Sequence, residues 1–351
     1  MTAGTYTERM HPAARLSALE AGRLAQFVRS EAGVIGRLAD HTLARFENML
    51  IEFVFISRLR KTFRDFADPS KPTKNMMDDL RQQQSEGKMA GLSMMASADG
   101  TPHIDTDETS SADVWRLSRQ GGERVLFYVP CGGFILPPSP KQLSTAERLA
   151  SACDSRLVIG RHRLAPEHPF PAAIHDIADH YEALLSEGHH PGNIIAGGDT
   201  SGAAIMLGAL MELRRRGVTM PAGALLFSPW ADLSLSGWSY ITGSVSATSP
   251  YRMEIAAFCA RLYLQDTLPT DPMASPVYGE IKGLPPMAIH SSRYDIRFDD
   301  ALRLVEKAEK AGVPCRINYW DSPRHHLERF KSRDADKSFE LAAVFVEEVM
   351  A

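Results

Sequence analysis

From Gly121 onward the chain repeats one pattern: a short apolar run, a helical stretch, then another short apolar run. The runs lie at residues 125–129, 157–159, 194–196, 224–227, 287–290 and 316–319, and the helical stretches between them include 203–216 and 300–311. An uninterrupted apolar run suits a strand buried on both faces, and a helix between strands is the crossover that parallel pairing requires. The pattern predicts an α/β fold with a mostly parallel central sheet and helices on both faces.

Between Asp232 and Pro276 the alternation lapses, and a helix over 254–263 with Ser, Gly and Thr-rich flanks replaces it. This reads as an insertion at about 233–275 over the carboxyl edge of the sheet, where doubly wound proteins bind ligands. Residues 1–85 follow another rule. Leu38, Leu43, Phe46, Leu50, Phe53 and Val54 recur at helical spacing with no strand-like alternation, which predicts a helical N-terminal segment ahead of a main domain over 86–351. Phe46, Leu50, Phe53 and Phe134 are candidates to line an apolar pocket.

Charge narrows the function classes. In 351 residues, 39 Lys and Arg face 43 Asp and Glu, a net charge of −4 with no long basic run, so nothing provides the positive face that nucleic acid needs. The longest apolar stretch, 49–56, is broken by Glu52 and falls short of the ~20 residues of a membrane span. The first thirty residues carry Glu8, Arg15, Glu20, Arg23 and Arg29 without an apolar core, which predicts a cytoplasmic protein. Cys131, Cys153, Cys259 and Cys315 lie far apart, which suits reduced thiols. No metal or cofactor is expected, because the adjacent His325 and His326 supply only two ligands.

The segment Gly198-Asp199-Thr200-Ser201-Gly202 joins the run at 194–196 to the helix at 203–216. Strand, tight glycine-flanked turn and helix form the context of a nucleophile elbow, G-x-S-x-G, with Thr200 at the middle position. Upstream, Val129-Pro130-Cys131-Gly132-Gly133-Phe134 follows a strand where this architecture places an oxyanion loop. The amides of Gly132, Gly133 and Ser201 are the candidate donors, and Ser201 is expected to contribute its amide alone.

A third segment makes the likeness specific. Arg163-Leu164-Ala165-Pro166-Glu167-His168-Pro169-Phe170-Pro171-Ala172-Ala173 resembles the signature of the hormone-sensitive-lipase-like family of α/β-hydrolases, the bacterial carboxylesterase branch. The similarity continues through 228–233, 271–276 and 283–286, and spans roughly residues 120–330. It implies an α/β-hydrolase fold with a helical cap, in which nucleophile, acid and histidine follow in that order. The resemblance nominates Asp295, in Tyr294-Asp295-Ile296-Arg297-Phe298-Asp299, as the acid. It selects His325 over His326 in Trp320-Asp321-Ser322-Pro323-Arg324-His325-His326. Asp299 and Asp300 read as N-terminal caps of the next helix, and His326 as a loop residue. Pairing into a homodimer is implied by resemblance alone.

Three departures stand at the centre of this frame: Thr200 for serine, Pro130 for histidine and Cys131 for glycine. A β-branched residue at an elbow sits at an unfavourable positive φ, and Cys131 is a possible alternative nucleophile. Three functions therefore stand side by side. One is a hydrolase of small esters acting through Thr200, Asp295 and His325. The second is an impaired hydrolase that binds a small apolar ligand. The third is an acyl transferase, lyase or cyclase on the same fold.

Overall fold

The computed structural model describes Asp78, Arg81 and residues 114–117, 123–244, 253–322 and 325–351. The chain divides into two units, residues 1–57 and 58–351, and the described residues all lie in the second. The helical segment expected over 1–85 falls outside them except for Asp78 and Arg81, both helical. Phe46, Leu50 and Phe53 also fall outside.

Among the described residues seven strands form one sheet in the order β1-β3-β2-β4-β5-β6-β7. They are β1 Val114–Leu117, β2 Val125–Val129, β3 Arg156–Gly160, β4 Ile194–Asp199, β5 Gly223–Phe227, β6 Met287–Ser292 and β7 Cys315–Trp320. β2 to β7 pair in parallel, and each of the six expected runs falls within one of them. β1 is the addition: it lies antiparallel at the sheet edge with Val114 opposite Gly160. Its four residues include Arg116, too short and too polar to register as an apolar run.

The helices are α1 Pro140–Ala152, α2 Ala172–Ser186, α3 Ser201–Arg215, α4 Trp238–Ser244, α5 Met253–Leu264, α6 Phe298–Ala311 and α7 Arg333–Met350. Alternate residues of each strand feed two cores, as the two-residue period of a strand requires. Val125, Phe127 and Val129 pack with α2, α3 and α6 on one face, while Leu126 and Tyr128 pack with α1 and α7 on the other. Burying one such aliphatic or aromatic side chain contributes about 1.5–3 kcal/mol, so the central strands are fixed from both sides. α3 is buried from Ser201 through Leu213, which makes it a rigid base for the elbow above it.

The first turn of α6 departs from expectation. Asp299 and Asp300 are not its caps, because the N-cap position is Arg297. Asp299 Oδ2 instead accepts from the Ser239 amide at 2.9 Å. Asp300 Oδ2 accepts from the Ala231 and Asp232 amides at 2.9 and 3.0 Å and from the Tyr240 hydroxyl at 2.7 Å. Both carboxylates thus tie α6 to the segment after β5, whose buried amides need acceptors more than solvent-facing helix amides do. Burial, foremost, pushes the Asp300 carboxyl well above its usual range.

Candidate active site

β4 ends at Asp199 and α3 begins at Ser201, which leaves Thr200 alone at the corner with φ 55° and ψ −112°. That conformation is unfavourable for a β-branched side chain and stores about 1–3 kcal/mol. It persists because both sides of the peptide are held: Thr200 N–H donates to Phe227 O at 2.9 Å, and Trp230 N–H donates to Thr200 O at 3.0 Å. Gly202 lets α3 run close beneath the neighbouring loop, since a Cβ there would lie 1.9 Å from the Val129 carbonyl oxygen.

Asp295 follows β6 and His325 follows β7, at the same carboxyl edge as the elbow. The structure brings all three predicted residues together. Thr200 Oγ1 lies 2.9 Å from His325 Nε2, and His325 Nδ1 lies 2.6 Å from Asp295 Oδ2. Burial works against charge on Asp295, but His325, Arg297 and the Arg297 amide outweigh it and hold the carboxyl at about 2. An ionised carboxylate only accepts, so His325 carries its proton on Nδ1 and offers the Nε2 lone pair to the Thr200 hydroxyl. Burial, partly opposed by Asp295, depresses the pKa of His325 itself, so the ring is neutral at neutral pH.

The glycine loop after β2 closes over the start of α3 despite Pro130 and Cys131. The Gly132 and Gly133 amides converge on a single atom, Ser201 Oγ, at 3.2 and 2.9 Å. Gly132 must be glycine, because a Cβ there would fall 1.8 Å from the Leu136 carbonyl oxygen. The Cys131 amide donates to Asp199 Oδ1 at 3.0 Å, and its carbonyl accepts from Gln142 Nε2 at 2.6 Å. Gln142 also closes the capping box of α1 with Ser139, so one side chain fixes both the helix start and the loop. Among the described residues no hydrogen bond reaches the buried Cys131 thiol. Both ring nitrogens of His325 are engaged by Thr200 and Asp295. Phe134 is core rather than pocket lining: its ring is 1% exposed, stacked on Tyr263 at 4.1 Å and tilted against Trp230 at 5.2 Å.

The signature loop braces this arrangement from outside. Arg81 grips Glu167 through two nitrogens at 3.0 and 2.8 Å and also donates to the Ala165 and Ile135 carbonyls. Ala165 N–H donates to Phe134 O at 3.0 Å, which links the loop to the segment just after the glycine pair.

Sequence reading missed the residue that joins the two halves of the site. Asp199 Oδ1 accepts from the Tyr128 hydroxyl at 3.1 Å and from the Cys131 amide, while Oδ2 accepts from Arg329 Nη2 at 2.5 Å and lies 3.4 Å from His326 Nε2. Burial favours the neutral acid here, but His326 and Arg329 outweigh it and hold the Asp199 carboxyl below its ordinary range. His326 lies in the loop after β7, as expected, and is drawn into this cluster. It is buried at φ 49°, between Asp199 and Glu328, and burial lowers its pKa to about 3. The Glu328 carboxyl, pushed up to about 7 by burial, accepts from Ser338 Oγ at 2.6 Å. Among the described residues no group of three or more His, Cys, Asp or Glu is placed to hold a metal ion, and no helix is long and apolar enough to cross a membrane.

Residues 126–328 match the profile of the α/β-hydrolase fold. An acetyl-hydrolase of Streptomyces hygroscopicus is 35% identical over 240 residues, which cover 67% of this chain and 79% of that protein. An esterase of Acinetobacter venetianus is 31% identical over 210 residues, 60% of this chain and 69% of its own. Among solved structures, an esterase from the bacterial hormone-sensitive lipase family superposes with a TM-score of 0.70 at 26% identity, over 86% of this chain and 98% of that one. An elbow, a glycine loop beside it and a buried acid and histidine in the expected order accompany these likenesses, and the chain belongs to the α/β-hydrolase fold family as a carboxylesterase-type hydrolase of the hormone-sensitive-lipase-like kind.

Proposed function

We propose that the protein hydrolyses small carboxylic esters through Thr200, His325 and Asp295. The observation that carries this reading is the unbroken line from Thr200 Oγ1 to His325 Nε2 at 2.9 Å and from His325 Nδ1 to Asp295 Oδ2 at 2.6 Å. His325 takes the Thr200 proton as the hydroxyl oxygen attacks the ester carbonyl. Asp295 holds the ring in the required tautomer and stabilises the imidazolium that forms. The negative oxygen of the tetrahedral intermediate turns to the Gly132, Gly133 and Ser201 amides. Collapse gives His325's proton to the departing alcohol and leaves an acyl-threonine. Water, activated by the same ring, then releases the acid and restores Thr200. Relatives named acetyl-hydrolase and esterase support a short acyl group.

A chromogenic ester of a short-chain acid tests this reading. Turnover is expected to rise with pH as His325 loses its proton, with an acid limb centred below the ordinary histidine value of about 6.5 because burial depresses its pKa. Thr200→Ser removes the methyl that crowds the positive φ and is expected to raise kcat about tenfold, the rate equivalent of relieving ~1.4 kcal/mol. If wild type and Thr200→Ser both match the buffer blank while a thermal-shift screen finds tight apolar ligands, the ligand-binding function replaces this one.

A further inference from the structure

The Gly132 and Gly133 amides, which the ester-hydrolase reading assigns to the oxyanion, already have an acceptor: Ser201 Oγ, at 3.2 and 2.9 Å. Ser201 stands at the first position of α3, directly after Thr200, and is 1% exposed. Each amide has one hydrogen, so a hydrogen aimed at Oγ does not also serve an acyl oxygen at full strength. A second oxygen has no room at the point where both amides converge while Oγ occupies it.

One of the two partners has to move before an acyl oxygen enters, and the contacts identify which. The loop is anchored at three points: Cys131 N–H to Asp199 Oδ1, Gln142 Nε2 to the Cys131 carbonyl, and the Gly132 carbonyl to the Ile135 and Leu136 amides at 3.2 and 2.9 Å. The buried backbone of α3 is equally fixed. The Ser201 hydroxyl, by contrast, changes position by rotation about one single bond between staggered wells. We propose that the Ser201 hydroxyl is the resident occupant of the oxyanion hole, and that an ester's acyl oxygen enters only as this side chain turns away. Ser201 then acts twice in the reaction, its amide as a donor to the oxyanion and its hydroxyl as the group the oxyanion displaces. The displacement weighs on every acyl group alike, so it sets the overall rate of entry rather than a preference among chain lengths. It rests on the assignment of Gly132 and Gly133 as oxyanion donors made above.

Ser201→Ala removes the occupant and keeps the amide. Its kcat/KM for the short-chain chromogenic ester is expected to rise roughly tenfold, the competition that two neutral hydrogen bonds offer. Butyrate, a carboxylate whose oxygen takes the oxyanion's place without any chemical step, is expected to bind Ser201→Ala roughly tenfold more tightly by calorimetry. In nitrogen-15 glycine spectra, the Gly132 and Gly133 amide resonances should move on Ser201→Ala alone and move again with butyrate. A fall in kcat/KM would overturn the proposal, because it would make the hydroxyl a donor to the oxyanion. Unchanged kcat/KM with unchanged butyrate affinity would overturn it as well. If no variant turns over ester, the hydrolase reading fails, and butyrate affinity and the two glycine resonances alone decide the occupancy of the hole. Ser201→Gly serves as the second variant, with the same expected direction.

Discussion

Replacing His325 with alanine is expected to lower kcat for a short-chain ester about a thousandfold while KM stays within a few-fold, because general-base help is present in the transition state and absent from substrate binding. Among the described residues, the nitrogen that faces Thr200 Oγ1 is His325 Nε2. Substitution removes the proton acceptor from a hydroxyl at a corner where water scarcely enters: Thr200 is 1% exposed. The fold should tolerate the change, because Asp295 keeps the Arg297 amide at 3.1 Å and the nearby Arg297 guanidinium. Steady-state kinetics with a circular-dichroism melt checks both halves. A His325→Ala protein that retains a tenth or more of wild-type kcat would remove the imidazole from the mechanism.

The second large effect belongs to Asp199, and it appears first in stability. Asp199→Ala is expected to destabilise the fold by about 3–5 kcal/mol, the range seen when one side of a buried ion pair is withdrawn. For a unit of this size that corresponds to a melting temperature lower by roughly 5–8 °C. The reason is the position of the carboxylate, which faces an Arg329 side chain with no solvent exposure, the buried Tyr128 hydroxyl and the Cys131 amide at once. Turnover should fall as well, since Asp199 spans from the oxyanion loop to the residues just after His325. Asp199→Asn keeps the shape and loses the charge, and should fall between wild type and alanine. The pH dependence has a definite sign. Folded-state pKa values of Asp199 and Asp295 are both depressed, so their stabilisation is present above the ordinary aspartate value of about 3.9 and is lost as pH falls below it. Asp199→Ala should therefore show a shallower loss of stability in acid. Melting within a degree or two of wild type would show that Asp199 does not join the two loops.

The parts of this protein that were legible in its sequence are those with a local cause. The six parallel strands stood out because both of their faces are buried, which demands a contiguous apolar run, whereas β1 at the edge has no such demand. Thr200 stood out because glycines between a buried strand and an amphipathic helix leave few other geometries. Asp295 and His325 lack such a local cause: periodicity does not distinguish them from other loop polar residues, and family resemblance supplied both. Contacts across long sequence distances were invisible. Asp199 reads as one more residue of the elbow, yet its partners lie 68 and 130 residues away. Asp299 and Asp300 carry every local mark of helix caps, and lose that role only because folding brings the amides of residues 231, 232 and 239 to them. Ser201 was expected to give its amide alone, and nothing in a linear pattern reveals where its hydroxyl turns once the glycine loop closes over it.

In the proposed reaction the Thr200 oxygen carries the acyl group. Mixing the protein with an activated acyl donor, quenching in acid and mapping the added mass by fragmentation tests it most directly. One acyl group is expected on Thr200, absent from Thr200→Ala and from His325→Ala. An acyl group found on Cys131 or Ser201, or one that persists at full yield in Thr200→Ala, would contradict it.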